Sequence, residues 1–272
     1  MTKILRPLPP EAQAELAEAR RLLESPGLAM QLANVIGAPI EGLMARLPGP
    51  AARLVDRAAR KAVETAFDAA RRTLRTPVPG HTASPRLHKF AVAGTGAVGG
   101  FFGLPGLLVE LPITTAAMLR SITDIARSEG ESADDPATRM ACLEVLALGG
   151  RRSDDDGAES GYFATRAALA QQVTAATRYV AGGMGTGGAP ALVQLVNGIA
   201  SRFSIPVTQK ALAQAAPLIG AATGATLNLI FIGHFQSVAR GHFVVRRLER
   251  EYGVHEVRAA YARLASKQNG PG

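Results

Sequence analysis

Two histidines, His234 and His242, stand eight residues apart in the stretch HFQSVARGHFVVRRLEREYG. Imidazole moves protons near neutral pH and ligates metals. A carboxylate brought alongside, from Asp124 or Glu144, would turn either ring into an acid/base or metal-binding pair, the constellation of a hydrolase. The spacing works against a joint task. Eight residues of helix turn through about 800°, which leaves the two rings roughly 80° out of line. A zinc helix sets its histidines four apart as HExxH, and the nucleophile elbow of a serine hydrolase reads GxSxG; neither occurs. A buried polar network that fixes helix register suits these residues better, with Arg240 pairing to Glu144 or Asp124 inside the fold and His242 beside them. No resident metal is expected.

Other nucleophiles and ligands read as structural. Cys142 is the only cysteine and sits in the apolar run MACLEVLAL, so it is expected as a small buried hydrophobe. With no second cysteine, no internal disulfide can form, which suits a reducing compartment. Ser160 precedes Gly161 and Tyr162 at the start of a helical run and reads as an N-cap. Asp154, Asp155 and Asp156 lack the alternate spacing and closing Glu of a calcium loop.

KFAVAGTGAVGGFFG, residues 89–103, spells Gly94-x-Gly96-x-x-Gly99, the turn that cradles a dinucleotide in an oxidoreductase. That turn works only between a strand and a helix, with a second strand about twenty residues on ending in an acidic residue for the ribose. Here Leu104-Pro105-Gly106 would break the following helix after barely a turn. PITTAAMLRSITDIA, with helical spacing, stands where the second strand should be. The same glycines fit another use. Gly96 and Gly100, Gly99 and Gly103, and Gly220 and Gly224 are each four apart, which puts small residues on one helical face and lets two backbones touch. No cofactor is expected.

The elements that must position these residues are helices throughout. RPLPPEAQAELAEARRLLE starts one after Pro9-Pro10. A short amphipathic segment follows, interrupted near Gly37 to Pro39. From about Ala51 to Arg75, Ala58, Ala62, Ala66 and Ala70 recur at i+4 as a flat packing face, while Arg53, Arg57, Arg60, Lys61, Arg71, Arg72 and Arg75 make the helix basic. TPVPGHTASPRLH reads as a linker. Later helices are expected after Pro112 up to Gly130, from an Asp134 or Asp135 N-cap to Gly149-Gly150, and through the runs beginning at Gly161, His234 and Val254. No run of alternating β-branched residues reads as a strand.

Three uncharged stretches stand out: twenty residues from Phe90 to Val109, twenty-three from Tyr179 to Ser201 and twenty-three from Ala211 to Gly233. Each approaches the length of a membrane span. Each is also glycine-rich and interrupted by Pro105, Pro190 or Pro217. Glycine weakens a helix by about 1 kcal/mol relative to alanine. The expectation is therefore an all-α fold: a single helical bundle with glycine-rich hydrophobic helical hairpins. It divides into a basic helical region over 1–80, a core over 81–262 and a flexible tail over 263–272.

Several phrases together resemble the EcsC family: GTGAVGGFFGLPGLLVELPITTAAMLRSITDIARSEGE, CLEVLALGG, ESGYFATRAAL and GAATGATLNLIFIGHFQSVARGHFVVRRLER. The likeness covers roughly Arg86 to Tyr252. It is most specific where His234-Phe235-Gln236 and Arg240-Gly241-His242-Phe243 precede Arg246-Arg247-Leu248-Glu249. The resemblance implies a bacterial, helix-rich protein with glycine-rich apolar segments. It also implies an association with ABC-transporter genes, so a membrane transporter complex is a candidate partner. The peptidase label given to some members finds no motif here.

Thirty Lys and Arg against twenty-two Asp and Glu leave a formal charge of +8, which favours an anionic partner. Only 5% of the chain is aromatic, which leaves few platforms for stacked bases and disfavours nucleic acid. Anionic lipid at a membrane surface is the expected partner. The chain opens without a secretory signal, so its expected place is cytoplasmic, peripheral at the inner face of the cytoplasmic membrane. The expected function is non-enzymatic membrane or lipid association through basic helices and apolar hairpins. The hydrolase and oxidoreductase readings stand as alternatives.

Overall fold

The computed structural model describes residues 7–24, 28–37, 40–44, 47–72, 85–150, 161–182, 189–215 and 221–268. Ten α-helices and no strand occur among them: α1 Pro10–Glu24, α2 Leu28–Ile36, α3 Ile40–Met44, α4 Gly49–Arg72, α5 Pro85–Ser128, α6 Pro136–Leu148, α7 Gly161–Ala181, α8 Ala189–Gln214, α9 Ala221–Tyr252 and α10 Val254–Gln268. Arg75, Asp154, Asp155, Asp156, Ser160, Pro217 and Gly220 lie outside the described residues.

The two longest helices form the axis of an α-helical bundle. α5 has 44 residues and packs along α9, which has 32. At 1.5 Å per residue α5 is about 66 Å long. α4 covers α5 and α8, α1 covers α9, and α6 fills the space beside α7 and α8. The N-terminal helices thus pack onto the same core as the rest.

Local signals set the helix ends. Asp135 caps α6: its carboxylate accepts the Ala137 N–H at 3.1 Å, and Pro136 follows at the first helical position. Such a cap is worth about 1 kcal/mol. Gly37 ends α2 with φ at 70°, Gly130 follows α5 with φ at 78°, and Gly253 separates α9 from α10 with φ at 101°. All three lie in the left-handed region that glycine enters without strain.

The alanine stripe of α4 is buried as its spacing predicts, with Ala58, Ala62 and Ala66 at 0% exposure. Where α1 crosses α9, a Cβ at Gly241 would stand 2.7 Å from the Ala19 carbonyl oxygen, so backbone closeness there depends on glycine. Between α8 and α9, Phe203, Phe231 and Phe235 form an aromatic cluster with ring centres 5.1 to 6.1 Å apart.

Two expectations about prolines in the uncharged stretches are corrected. Pro105 does not break the Phe90–Val109 stretch into a hairpin; α5 runs through both Pro105 and Pro112. Proline costs a helix one hydrogen bond, and burial of Leu107 and Leu111 supplies packing to offset it. The other two stretches do fall at helix–helix junctions, α7 with α8 and α8 with α9, and each pair is in contact. Pro190 begins α8 rather than interrupting it, the position proline tolerates best. Among the described residues, no helix is long and apolar enough to cross a membrane.

Candidate functional site

His234 and His242 face different neighbours, as their angular offset requires. His242 is fully buried, and its Nδ1 lies 3.0 Å from the Tyr162 hydroxyl on α7. Its Nε2 has no partner among the described residues. Burial, aided by the positive charges of Arg166 and Arg246, holds its pKa well below the usual histidine range, so the ring is neutral. His234 is half-buried and donates from Nε2 to the Gly149 carbonyl at 2.9 Å, beside the end of α6. It borders a cavity of about 310 Å³ whose other polar lining among the described residues comes from Arg21, Gln31, Gln209 and Ser237.

Glu144 is 5% exposed, and burial raises its pKa to about 7 against the pull of Arg166 and Arg246. The expected internal pairing with Arg240 is not formed. Arg240 points to solvent, and Asp124 pairs with Arg127 on its own helix at 3.2 Å. The helical turn explains the difference. The buried face of α9 carries His242, Val245 and Leu248, and Arg246 borders that face while Arg240 lies off it. Among the described residues no cluster of three metal-ligating side chains forms.

Around this centre lies a network the sequence did not announce. Arg166 grips Glu249 with both guanidinium nitrogens, at 2.8 and 3.0 Å. Arg246 does the same to Glu131, at 2.9 and 3.2 Å, and Arg250 and Thr138 also donate to that carboxylate. Burial would raise Glu131, yet the bonds from Arg246 and Thr138 prevail and hold it below the usual carboxylate range. Arg247 bridges Glu129 at 2.8 Å and Glu15 of α1 at 3.0 Å. These pairs bind α9 to α7, to α1 and to the turn after α5. Every cation in them is committed to a carboxylate, and His242 is closed to solvent. The arrangement holds helices in register.

The glycine fingerprint does not make a phosphate turn. Gly94, Gly96, Gly99, Gly100 and Gly103 all lie within α5, which begins at Pro85 with no strand before it among the described residues. A dinucleotide turn needs a strand ending at the first glycine and backbone N–H groups free to meet phosphate, whereas here the backbone is already helical. Gly224 is buried in the first turn of α9.

An open charged surface lies on α4. Arg53, Arg57, Arg60 and Lys61 are exposed, opposite the buried alanine stripe. Three of them border a groove of about 680 Å³ against α8, with Asp56, Asn197, Ala200, Ser201 and Ser204 completing its lining. Arg60 donates to the Asn197 side-chain carbonyl. Arg53 and Arg57 are in no ion pair or hydrogen bond with a described residue. The basic helix was legible as such; the serine and asparagine edge facing it was not, because it comes from a stretch that reads only as uncharged.

Compared with known proteins, residues 11–248 match the EcsC protein family. The match begins well before Arg86, so the N-terminal helices share in it. No curated protein and no solved structure matches the chain.

Proposed function

The chain belongs to the EcsC protein family, and from that premise we propose that it is a non-enzymatic protein held peripherally on an anionic lipid surface by α4. The observation that carries the reading is the two-sidedness of α4: alanines buried on one side, and Arg53, Arg57, Arg60 and Lys61 exposed on the other. A basic side chain near an anionic leaflet gains about 1 kcal/mol. Val193 of the adjoining α8 is 56% exposed and lies four residues from Asn197. It offers an apolar contact beside the charged edge, the pairing an interfacial surface uses. The acidic leaflet of a cytoplasmic membrane, at its inner face, is the surface such a helix suits, and a transporter complex there would be within reach.

Flotation with vesicles tests this. The full chain should float with vesicles containing phosphatidylglycerol and stay behind with neutral phosphatidylcholine. Raising salt from about 0.05 to 0.5 M should release it, because exposed charges are screened over that range. Failure to float with any anionic vesicle at low salt refutes the reading.

A further inference from the structure

We propose that the groove between α4 and α8 is a site for a phosphomonoester headgroup carried by a membrane lipid. This rests on the reading above and sharpens it from a diffuse charged face to a defined pocket. Three features lead there. First, Arg53, Arg57 and Arg60 recur at four and then three residues, so one edge of the groove presents three guanidinium groups in line along a single face of α4. A guanidinium meets phosphate oxygens through paired N–H donors. Elsewhere in the fold, Arg166, Arg246, Arg247 and Arg250 each hold a carboxylate. In the groove Arg53 and Arg57 hold none among the described residues.

Second, the facing edge is small and polar. Asn197, Ser201 and Ser204 lie on α8 at four- and three-residue steps. Asn197 gives its carbonyl to Arg60, which sets that guanidinium and leaves the amide N–H₂ of Asn197 to donate. Ser201 and Ser204 now spend their hydroxyl protons on the helix carbonyls of Gly198 and Ser201, at 3.0 and 3.1 Å. Those rotors can turn to an incoming oxygen at little cost, since the carbonyls they leave are already in helical bonds.

Third, the charge count selects the ligand. Three arginines against Asp56 leave two positive charges in the lining. A phosphomonoester carries about −1.5 to −2 near neutral pH, while a phosphodiester headgroup carries only one negative charge. The surplus fits the monoester, the headgroup of phosphatidic acid. Val193, one helical turn from Asn197 along the same edge, lies where acyl chain would begin.

The test uses the full chain and vesicles of phosphatidylcholine with phosphatidic acid or with phosphatidylglycerol, matched for surface potential. Binding to phosphatidic acid should be at least about tenfold tighter, the scale of one charge-assisted contact. R57Q/R60Q should abolish that preference and leave residual binding equal on both lipids. R178Q/R240Q removes two exposed charges outside the groove and should keep the preference. Circular dichroism confirms that each variant is folded. Equal binding of the parent chain to both matched lipids overturns the site while leaving surface attachment standing. So does loss of preference in R178Q/R240Q equal to that in R57Q/R60Q. Glycerol phosphate in solution should compete only at millimolar levels. Micromolar competition, with no vesicle preference, would give the groove to a soluble phosphate and overturn the lipid assignment.

Discussion

The Lys210 ammonium lies 2.5 Å from the Glu110 carboxylate, and both residues are sealed within the bundle. Lys210 also donates to Asn228 at 2.9 Å and sits 5.0 Å from the centre of the Phe231 ring, joining α5, α8 and α9 at one point. Burial pushes the Lys210 pKa down, while Glu110 draws it back. Removing one partner should strand the other charge in the core. Lys210→Met is expected to cost about 3–5 kcal/mol, and adding Glu110→Leu should recover most of that loss. Urea unfolding of the single and double variants decides it. A double variant as unstable as the single would mean that the loss has another cause.

Glu144 and His242 should bend the stability curve in opposite directions. The folded chain raises Glu144 from 4.5 to about 7 and so holds a proton that the unfolded chain releases. Its contribution to stability therefore falls as pH rises between about 4.5 and 7. His242 is depressed well below 6.5, so the unfolded chain takes up a proton that the folded chain refuses, and stability is lost as pH drops below that value. Glu144→Gln should therefore gain roughly 3 kcal/mol over the parent between pH 4 and pH 8. Paired denaturation curves at those two pH values provide the measurement. A difference that does not change with pH contradicts the assignment.

Glycines along the helices should divide into two classes. A Cβ at Gly150 would overlap the Arg202 carbonyl, and one at Gly241 would press on Ala19 and Leu23. Alanine at either position should cost about 1–3 kcal/mol through overpacking. Gly233 lies inside α9 with nothing within 4 Å of a Cβ. Gly233→Ala should be neutral or stabilise by up to about 1 kcal/mol, the difference in helix propensity. Melting temperatures of the three variants test the division, and a destabilised Gly233→Ala would break it.

Cys142 should behave as an inert core residue. It is buried on α6, and its thiol is pushed up to about 12 by burial. Thiolate is the reactive form, so native labelling by a disulfide reagent at pH 8 should be slow and should track unfolding as urea is added. Rapid stoichiometric labelling of the native chain would show that α6 opens locally.

Much of the architecture was written in local pattern. The alanine stripe and basic face of α4, the Asp135 cap and the turn glycines 37, 130 and 253 each act within a few residues, and each predicts its own element. The length of α5 was not legible, because Pro105 and Pro112 signal breaks locally and only packing against α4 and α9 outweighs them. The buried Lys210–Glu110 pair left only a partial trace in the sequence. Glu110 is the first charge after one uncharged stretch and Lys210 the last before another, an arrangement that sets two opposite charges at the borders of apolar segments. Nothing local shows that they meet.

By itself the sequence determined the helical class, the family and the side of α4 that faces outward, since periodicity, capping and charge are properties of neighbouring residues. Only the tertiary structure decided the partners. Glu144 lies near Arg246 and Arg166 rather than Arg240, His242 meets Tyr162, and Arg60 meets Asn197 across 137 residues of chain. Such contacts depend on the crossing of whole helices, and a turn of 100° per residue decides which side chain arrives at each crossing.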